Sequence, residues 1–215
     1  MVVRPLPVVV VLLSCAVGGC LSSQAPTPKA WMVEPSVSGD DTAPLVEGGA
    51  PAFGTTRVGV VSVDAPYDKP QFVVRRTDGS VAVDHYNVFA AAPASLLRVP
   101  VRNRLISDSR FSCVVQQASI ASADSQVEAQ VTDLSLDCRT AGQRVARAAV
   151  TLNVVKTGRG PRVAAFEGMG SGEADATDGN YTRAFSEAVD AAVSSALKTL
   201  KSVDGPSESK ASSAK

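Results

Sequence analysis

The chain has 215 residues, of which 21 are Lys or Arg and 21 are Asp or Glu, so it has no excess of positive charge with which to hold a nucleic-acid backbone or an anionic membrane surface. Hydrophobic residues at 45% are enough for one core, but aromatics are only 5%, so that core has to be built largely from Val, Ala and Leu. A single histidine, His85, excludes multi-histidine metal sites and leaves one candidate for histidine-based catalysis.

From Met1 to Gly19 the chain has one basic residue, Arg4, and then the apolar run Val8–Val17, the order found in a secretory signal peptide. That run is too short to span about 30 Å of hydrocarbon, which needs roughly 20 residues. The next residues, Val17-Gly18-Gly19-Cys20, resemble the bacterial lipobox. Small residues open the backbone to the peptidase, and the thiol takes the diacylglyceryl group. The resemblance implies residues 1–19 as a lipoprotein signal peptide and lipidation (palmitate among the acyl chains) at Cys20. Each buried CH₂ contributes about 0.8 kcal/mol, so two or more acyl chains give lasting attachment. Leu21, where an aspartate would favour the inner membrane, implies the outer membrane with the protein facing the periplasm. Residues 20–30 then read as a Ser/Pro-rich tether.

The domain is expected over residues 31–203. Trp31–Pro35 is an apolar burst suited to a first strand, closed by a proline that cannot donate to a ladder. Residues 36–56, rich in Gly, Asp, Pro and Thr, read as a loop. Arg57–Val63 is a β-branched run suited to a sheet interior, Asp64–Pro70 a turn, Gln71–Arg75 a strand, and Val81–Val83 a short strand after an Asp-Gly turn. Apolar residues recur at helical spacing between Ala90 and Asp108, and Pro100 predicts a kink or a later helix start. Phe111–Gln117 and Gln126–Cys138 read as strands of an antiparallel hairpin. In the second, Val127, Ala129 and Val131 share one parity and Leu134 and Leu136 the other, which a β-bulge near Thr132-Asp133 would reconcile. Arg144–Lys156 alternates, with Ala146, Ala148, Val150, Leu152 and Val154 on the face to be buried. Arg162–Ala174 reads as a weaker strand interrupted by Gly168, Gly170 and Gly172. Tyr181, Phe185, Ala188, Val189, Ala192, Ala196 and Leu200 form the apolar stripe of an amphipathic helix. Asp178 or Asn180 would cap it, Lys198 and Lys201 would suit the negative end of its dipole, and Gly205-Pro206 would stop it. Residues 204–215 are expected to form a disordered tail.

Candidate sites are few. His85, in Asp84-His85-Tyr86-Asn87 between a strand and a helix, has no nucleophile motif beside it. Gly168-Met169-Gly170-Ser171-Gly172 lacks the Lys-Ser/Thr of a phosphate loop, so bulges or a close backbone approach account for it better. Asp175–Asn180 lacks the spacing of a calcium loop and suits helix capping. These features give no catalytic residue, no metal ligands and no cofactor. Cys113 and Cys138 are the cysteines left besides Cys20 in the mature chain. An oxidising periplasm favours their pairing, whereas a simple hairpin holds them about 26 Å apart against the roughly 7 Å a disulfide tolerates, and both states stay open. Tyr67, Asp68, Lys69, Gln71 and Arg75, in and after the Pro-flanked turn, are a candidate partner surface, with Tyr and Arg the types enriched at binding hot spots. On that reading, removing the Tyr67 and Arg75 side chains weakens partner binding and spares the melting temperature; the alternative is a solvated turn with a satisfied Arg75.

Taken in order, the lipobox, Trp31–Pro35, the Val-rich strand before Pro66–Arg75, Asp84–Arg98, Leu134–Arg139 and Ala184–Leu200 resemble the ABC-type transport auxiliary lipoprotein component family, PqiC-like, over roughly Trp31–Lys201. The resemblance implies an α+β fold, a mostly antiparallel sheet with two main amphipathic helices packed on one face, and no catalysis. It also implies partners: an MCE-domain periplasmic protein and inner-membrane ABC transporter components, working in lipid transport or envelope maintenance. A homo-oligomer stays open. The alternative function is a stand-alone periplasmic lipoprotein that binds a small apolar ligand.

Overall fold

The computed structural model describes residues 26–35, 52–157 and 164–203. The leader, Cys20, most of the 36–56 loop, Gly205-Pro206 and the 204–215 tail lie outside the described residues. In chain order the elements are β1 (Lys29–Trp31), β2 (Gly54–Val63), β3 (Gln71–Arg75), β4 (Val81–Phe89), α1 (Pro93–Leu96), α2 (Arg98–Ile106), β5 (Phe111–Val115), β6 (Ser125–Asp137), β7 (Val145–Lys156), β8 (Ala165–Asp175), α3 (Tyr181–Thr199) and β9 (Lys201–Val203). The fold is α+β, as expected. One mixed sheet has antiparallel pairing along its longest ladders, β6 with β7 and β7 with β8, and helices pack on one face. None of the described helices is long and apolar enough to cross a membrane.

The sheet forks at β6. One edge of that strand pairs with β7 along its whole length, while the other is shared by two parallel strands: β2 along Ser125–Val131 and β3 along Ser135–Asp137. One branch continues through β3, β4 and β1, and the other through β2 and β5. The β6 register shifts between Val131 and Asp133, which leaves Thr132 as the extra residue of a bulge. Val127, Ala129 and Val131 before it, and Leu134 and Leu136 after it, are therefore all buried, as the parity break predicts.

The β5–β6 hairpin does not form. Strand β2 lies between the two, parallel to both. Apolar β2 suits an interior position, and the short, half-exposed β5 suits an edge. Other departures are smaller. Strand β1 ends where the apolar burst begins and starts two residues before the expected domain boundary, and β2 starts at Gly54 rather than Arg57. Strand β4 runs on to Phe89, because Asp84 Oδ1 accepts from the backbone N–H groups of Tyr86 and Asn87 and so satisfies a bulge in mid-strand. The helix expected from Ala90 is two pieces broken at Leu97. Pro100 falls in the first turn of α2, where its missing N–H is no loss, and the bond to Leu96 that a continuous helix would need cannot form.

The clearest packing motif joins α3 to β8. Gly168, Gly170 and Gly172 do not interrupt β8; they face the α3 backbone at Ala196, Ala192 and Ala188, and a Cβ on any of them would collide with the carbonyl oxygen of that alanine. Two strand residues advance about 6.6 Å and four helix residues about 6 Å, so the glycine and alanine repeats stay in step. Asn180 caps α3, its side chain accepting from Arg183 N at 3.1 Å. The helix ends at Thr199, so Lys201 lies in β9 rather than at the helix end, while Lys198 is in the last turn. Phe72, Phe89, Tyr181 and Phe185 pack together at centroid separations of 4.6–5.6 Å, and Phe53 stacks on Phe111 at 4.9 Å; the rest of the buried core is largely Val, Ala and Leu.

Candidate functional site

The 64–70 turn, singled out as a partner surface, sits in the fork of the sheet. Arg75 donates through Nη2 to Asp133 Oδ2 at 2.8 Å and to the Tyr67 hydroxyl at 3.0 Å, and through Nε to Ser135 Oγ at 3.1 Å. Asp64 receives Gln130 Nε2 at 2.9 Å, and its own N–H donates to Val131 O. Burial and then the Asp133 carboxylate push the Tyr67 hydroxyl above its ordinary pKa. Tyr67 and Arg75 therefore clamp the turn onto the β6 bulge, and Gln71 is half-buried in β3. Only Asp68 and Lys69 of the five stand fully at the surface, paired with each other at 3.3 Å. The parity break at Thr132-Asp133 was the sequence signal for the partner of Arg75, but periodicity alone does not show which strand lies beside a bulge.

A second polar cluster closes the far end of β6. Asp137, 8% exposed, receives Arg139 through the backbone N–H and through Nε at 3.0 Å, and pairs with Arg147 Nε at 2.9 Å; Arg147 Nη2 continues to Glu173 at 2.8 Å. The Arg139 hydrogen bonds, against an opposing effect of burial, bring the Asp137 carboxyl down to about 2. With Thr140, Gln143 and Val145 these residues line a cavity of about 420 Å³. Its two cations and two carboxylates match each other, so the cluster fastens β6 to β7 and β8. No motif or periodicity in the sequence marks it.

A third feature is a groove of about 430 Å³ between β2, α2 and the chain after β5. Val58, Gly59 and Val99 line it with Arg98, Arg102 and Gln116. Gly59 and Val60 form a further bulge, where β2 shifts register against β6 between Val58 and Val61.

The remaining sequence candidates separate. Cys113 is exposed at the β5 edge and Cys138 half-buried beyond β6, and both are free thiols. Cys113 lies opposite Thr55 and the next residue, Thr56, opposite Ser125, so Cys138 is on the order of 40 Å along β6 from Cys113. The strand neighbours thus differ from the simple hairpin and take the two thiols further apart. His85 is exposed on the β4 bulge. Asp175 and Asp178 spend their carboxylates on Thr177 and Asn180 N–H groups. Among the described residues no group of three or more His, Cys, Asp or Glu is placed to hold a metal ion.

No family model matches the chain, and no curated protein does. Solved structures do. Protein XCC0632 from Xanthomonas campestris, described as DUF330, superposes with a TM-score of 0.52 at 16% identity, covering 80% of this chain and 93% of its own. An uncharacterised protein superposes with a TM-score of 0.53 at 13% identity, covering 80% of this chain and 95% of its own. The chain has a DUF330-type fold.

Proposed function

We propose that this chain is an auxiliary lipoprotein of the ABC-type transport, PqiC-like kind, anchored to the outer membrane through Cys20 and acting in the periplasm by protein–protein contact with an MCE-domain protein of a lipid-transport or envelope-maintenance system. The observation that carries the reading is the pairing of a lipobox with a DUF330-type fold, the designation under which the PqiC-like family also goes. The role needs no chemistry at the protein, so no catalytic residue and no cofactor are part of it. The tether supports the same reading. Strand β1 pairs with β4, and Met32 and Glu34 donate backbone N–H groups to Thr182 and Ser186 on α3, which ties the N-terminal segment to the domain. A pull on the anchor would thus be borne by the sheet.

Crosslinking in intact envelopes followed by affinity purification and mass spectrometry tests the proposal. Recovery of an MCE-domain protein with the parent chain, lost or reduced in the Cys20→Ser form, is the expected result. An intact mass showing an N-terminus elsewhere without acyl mass removes the anchor, and recovery of no transporter component removes the partnership.

A further inference from the structure

The groove beside α2 brings together an apolar wall and two cations that have no acidic partner among the described residues. Val58 and the half-exposed Val99 form the wall, while Arg98 and Arg102 lie along its rim. Among the described residues neither guanidinium is in an ion pair, Nε of Arg102 is buried with no acceptor, and no Asp or Glu lines the groove. A buried donor left without an acceptor is costly, and native proteins satisfy nearly all of them. Every other arginine cluster described above is matched by a carboxylate; this one is not.

The surroundings hold the groove open. Arg57 donates to the carbonyl oxygens of Ser119 at 3.4 Å and Ala121 at 2.6 Å, fixing the loop that follows Gln116, Gln117 and Ala118. That loop carries Ile120, fully exposed, and the β2 bulge turns Val60 outward at 50% exposure. A volume of about 430 Å³ lies within the roughly 300–1,000 Å³ of small-molecule sites.

We infer that the groove binds one anionic amphiphile: a single-chain lipid whose phosphate or carboxylate meets Arg98 and Arg102 while its chain lies over Val58 and Val99. Guanidinium groups offer paired N–H donors that match phosphate and carboxylate oxygens, and an anionic oxygen would both accept from Arg102 Nε and offset the positive charge of the two arginines, which a neutral ligand would not do. The amide groups of Gln116 and Gln117 can serve the uncharged part of a headgroup. The inference rests on the groove alone and is independent of the transporter reading, which is tested in envelopes rather than by ligand titration.

The test uses the full chain carrying Cys20→Ser, which has no acyl chain of its own to compete. It is titrated calorimetrically with lauroyl-lysophosphatidylglycerol below its micelle concentration, with lauroyl-lysophosphatidylcholine, and with glycerol 3-phosphate. The expected result is one-to-one binding of the anionic lysolipid at least about tenfold tighter than the zwitterionic one, and no measurable binding of the headgroup alone. Arg98→Gln with Arg102→Gln should erase the headgroup preference, and Val99→Asp, at a half-exposed position compatible with folding, should abolish binding. If the double variant fails to fold, Arg98→Gln alone, at an exposed position, carries the comparison. Absence of binding by the folded parent, undiminished binding by the glutamine variant, or equal affinity for glycerol 3-phosphate would each overturn the inference.

Discussion

Replacing Gly170 by Ala tests the packing of α3 on the sheet through the sign of its effect. In a strand that met only solvent, Ala in place of Gly would stabilise by about 0.5–1 kcal/mol, because glycine loses more conformational freedom on folding. In this protein the new Cβ would run into Ala192 O and Ala196 N and lie 2.8 Å from the Ser195 carbonyl carbon. All three are helix backbone atoms, which cannot swing aside as the end of a side chain can, so relief requires α3 to lift from β8. Overpacking of that kind costs about 1–3 kcal/mol, and a rigid obstacle puts this case toward the upper end. In a domain of this size each kcal/mol moves the melting temperature by about 2–4 °C, so Gly170→Ala should melt roughly 4–10 °C below the parent. Far-UV circular dichroism during heating and in urea reads the effect, with Ser171→Ala, on the exposed face one residue away, as the control expected to change little. A Gly170→Ala protein that melts at or above the parent would show that α3 does not lie on the glycine row.

Asp137 should govern an acid limb of stability. Its folded pKa of about 2 lies below the unfolded value of about 3.9, so its contribution is complete above pH 4 and is lost as pH falls through about 2. That displacement corresponds to at most about 2.5 kcal/mol, reduced to roughly 1–2 by solvent around half-exposed Arg139, and urea titrations of Asp137→Asn should show a flattened dependence between pH 4 and 2. The fork network revises the expectation that Tyr67 and Arg75 can be removed without thermal cost. Arg75→Ala leaves the part-buried Asp133 unpaired and should lower stability by about 1–2 kcal/mol, whereas Lys69→Ala should leave the melt unchanged. Phe185→Asp places a charge among Phe72 and Phe89 at a position 1% exposed, and the cooperative melt should disappear; a parent-like melt would contradict the core assignment. Thiol labelling of native protein should modify Cys113 quickly and Cys138 more slowly, since burial raises the Cys138 pKa, and an unlabelled pair released only by reductant would contradict two free thiols.

Local periodicity carried the elements whose partners did not matter. Alternation alone assigns the buried face of β7, the 3.6-residue stripe assigns α3, and the parity break in β6 locates its bulge, because each is a property of one segment against a generic core. The glycine repeat in Gly168–Gly172 was legible only as bulges or a close backbone approach, and the alanines at 188, 192 and 196 only as part of a helix stripe, so that the two rows meet is decided by the tertiary structure. Strand order was not legible. A polar connection between two strands suits a hairpin equally well whether or not a third strand inserts, and the insertion of β2 depends on long-range competition for the edge of β6. The same holds for the polar residues. Arg75 in a turn-flanking strand reads as a surface hot spot until β6 brings Asp133 and Ser135 beneath it, and nothing in the sequence singles out Asp137, which β7 supplies with Arg147. Nothing in the sequence marks Arg98 and Arg102, and only the tertiary structure sets them beside β2 and the loop after β5 in a groove that no described Asp or Glu lines. Hydrophobic pattern is local because any apolar neighbour satisfies it, whereas a charge is satisfied only by a particular partner, and only the tertiary structure supplies or withholds that partner.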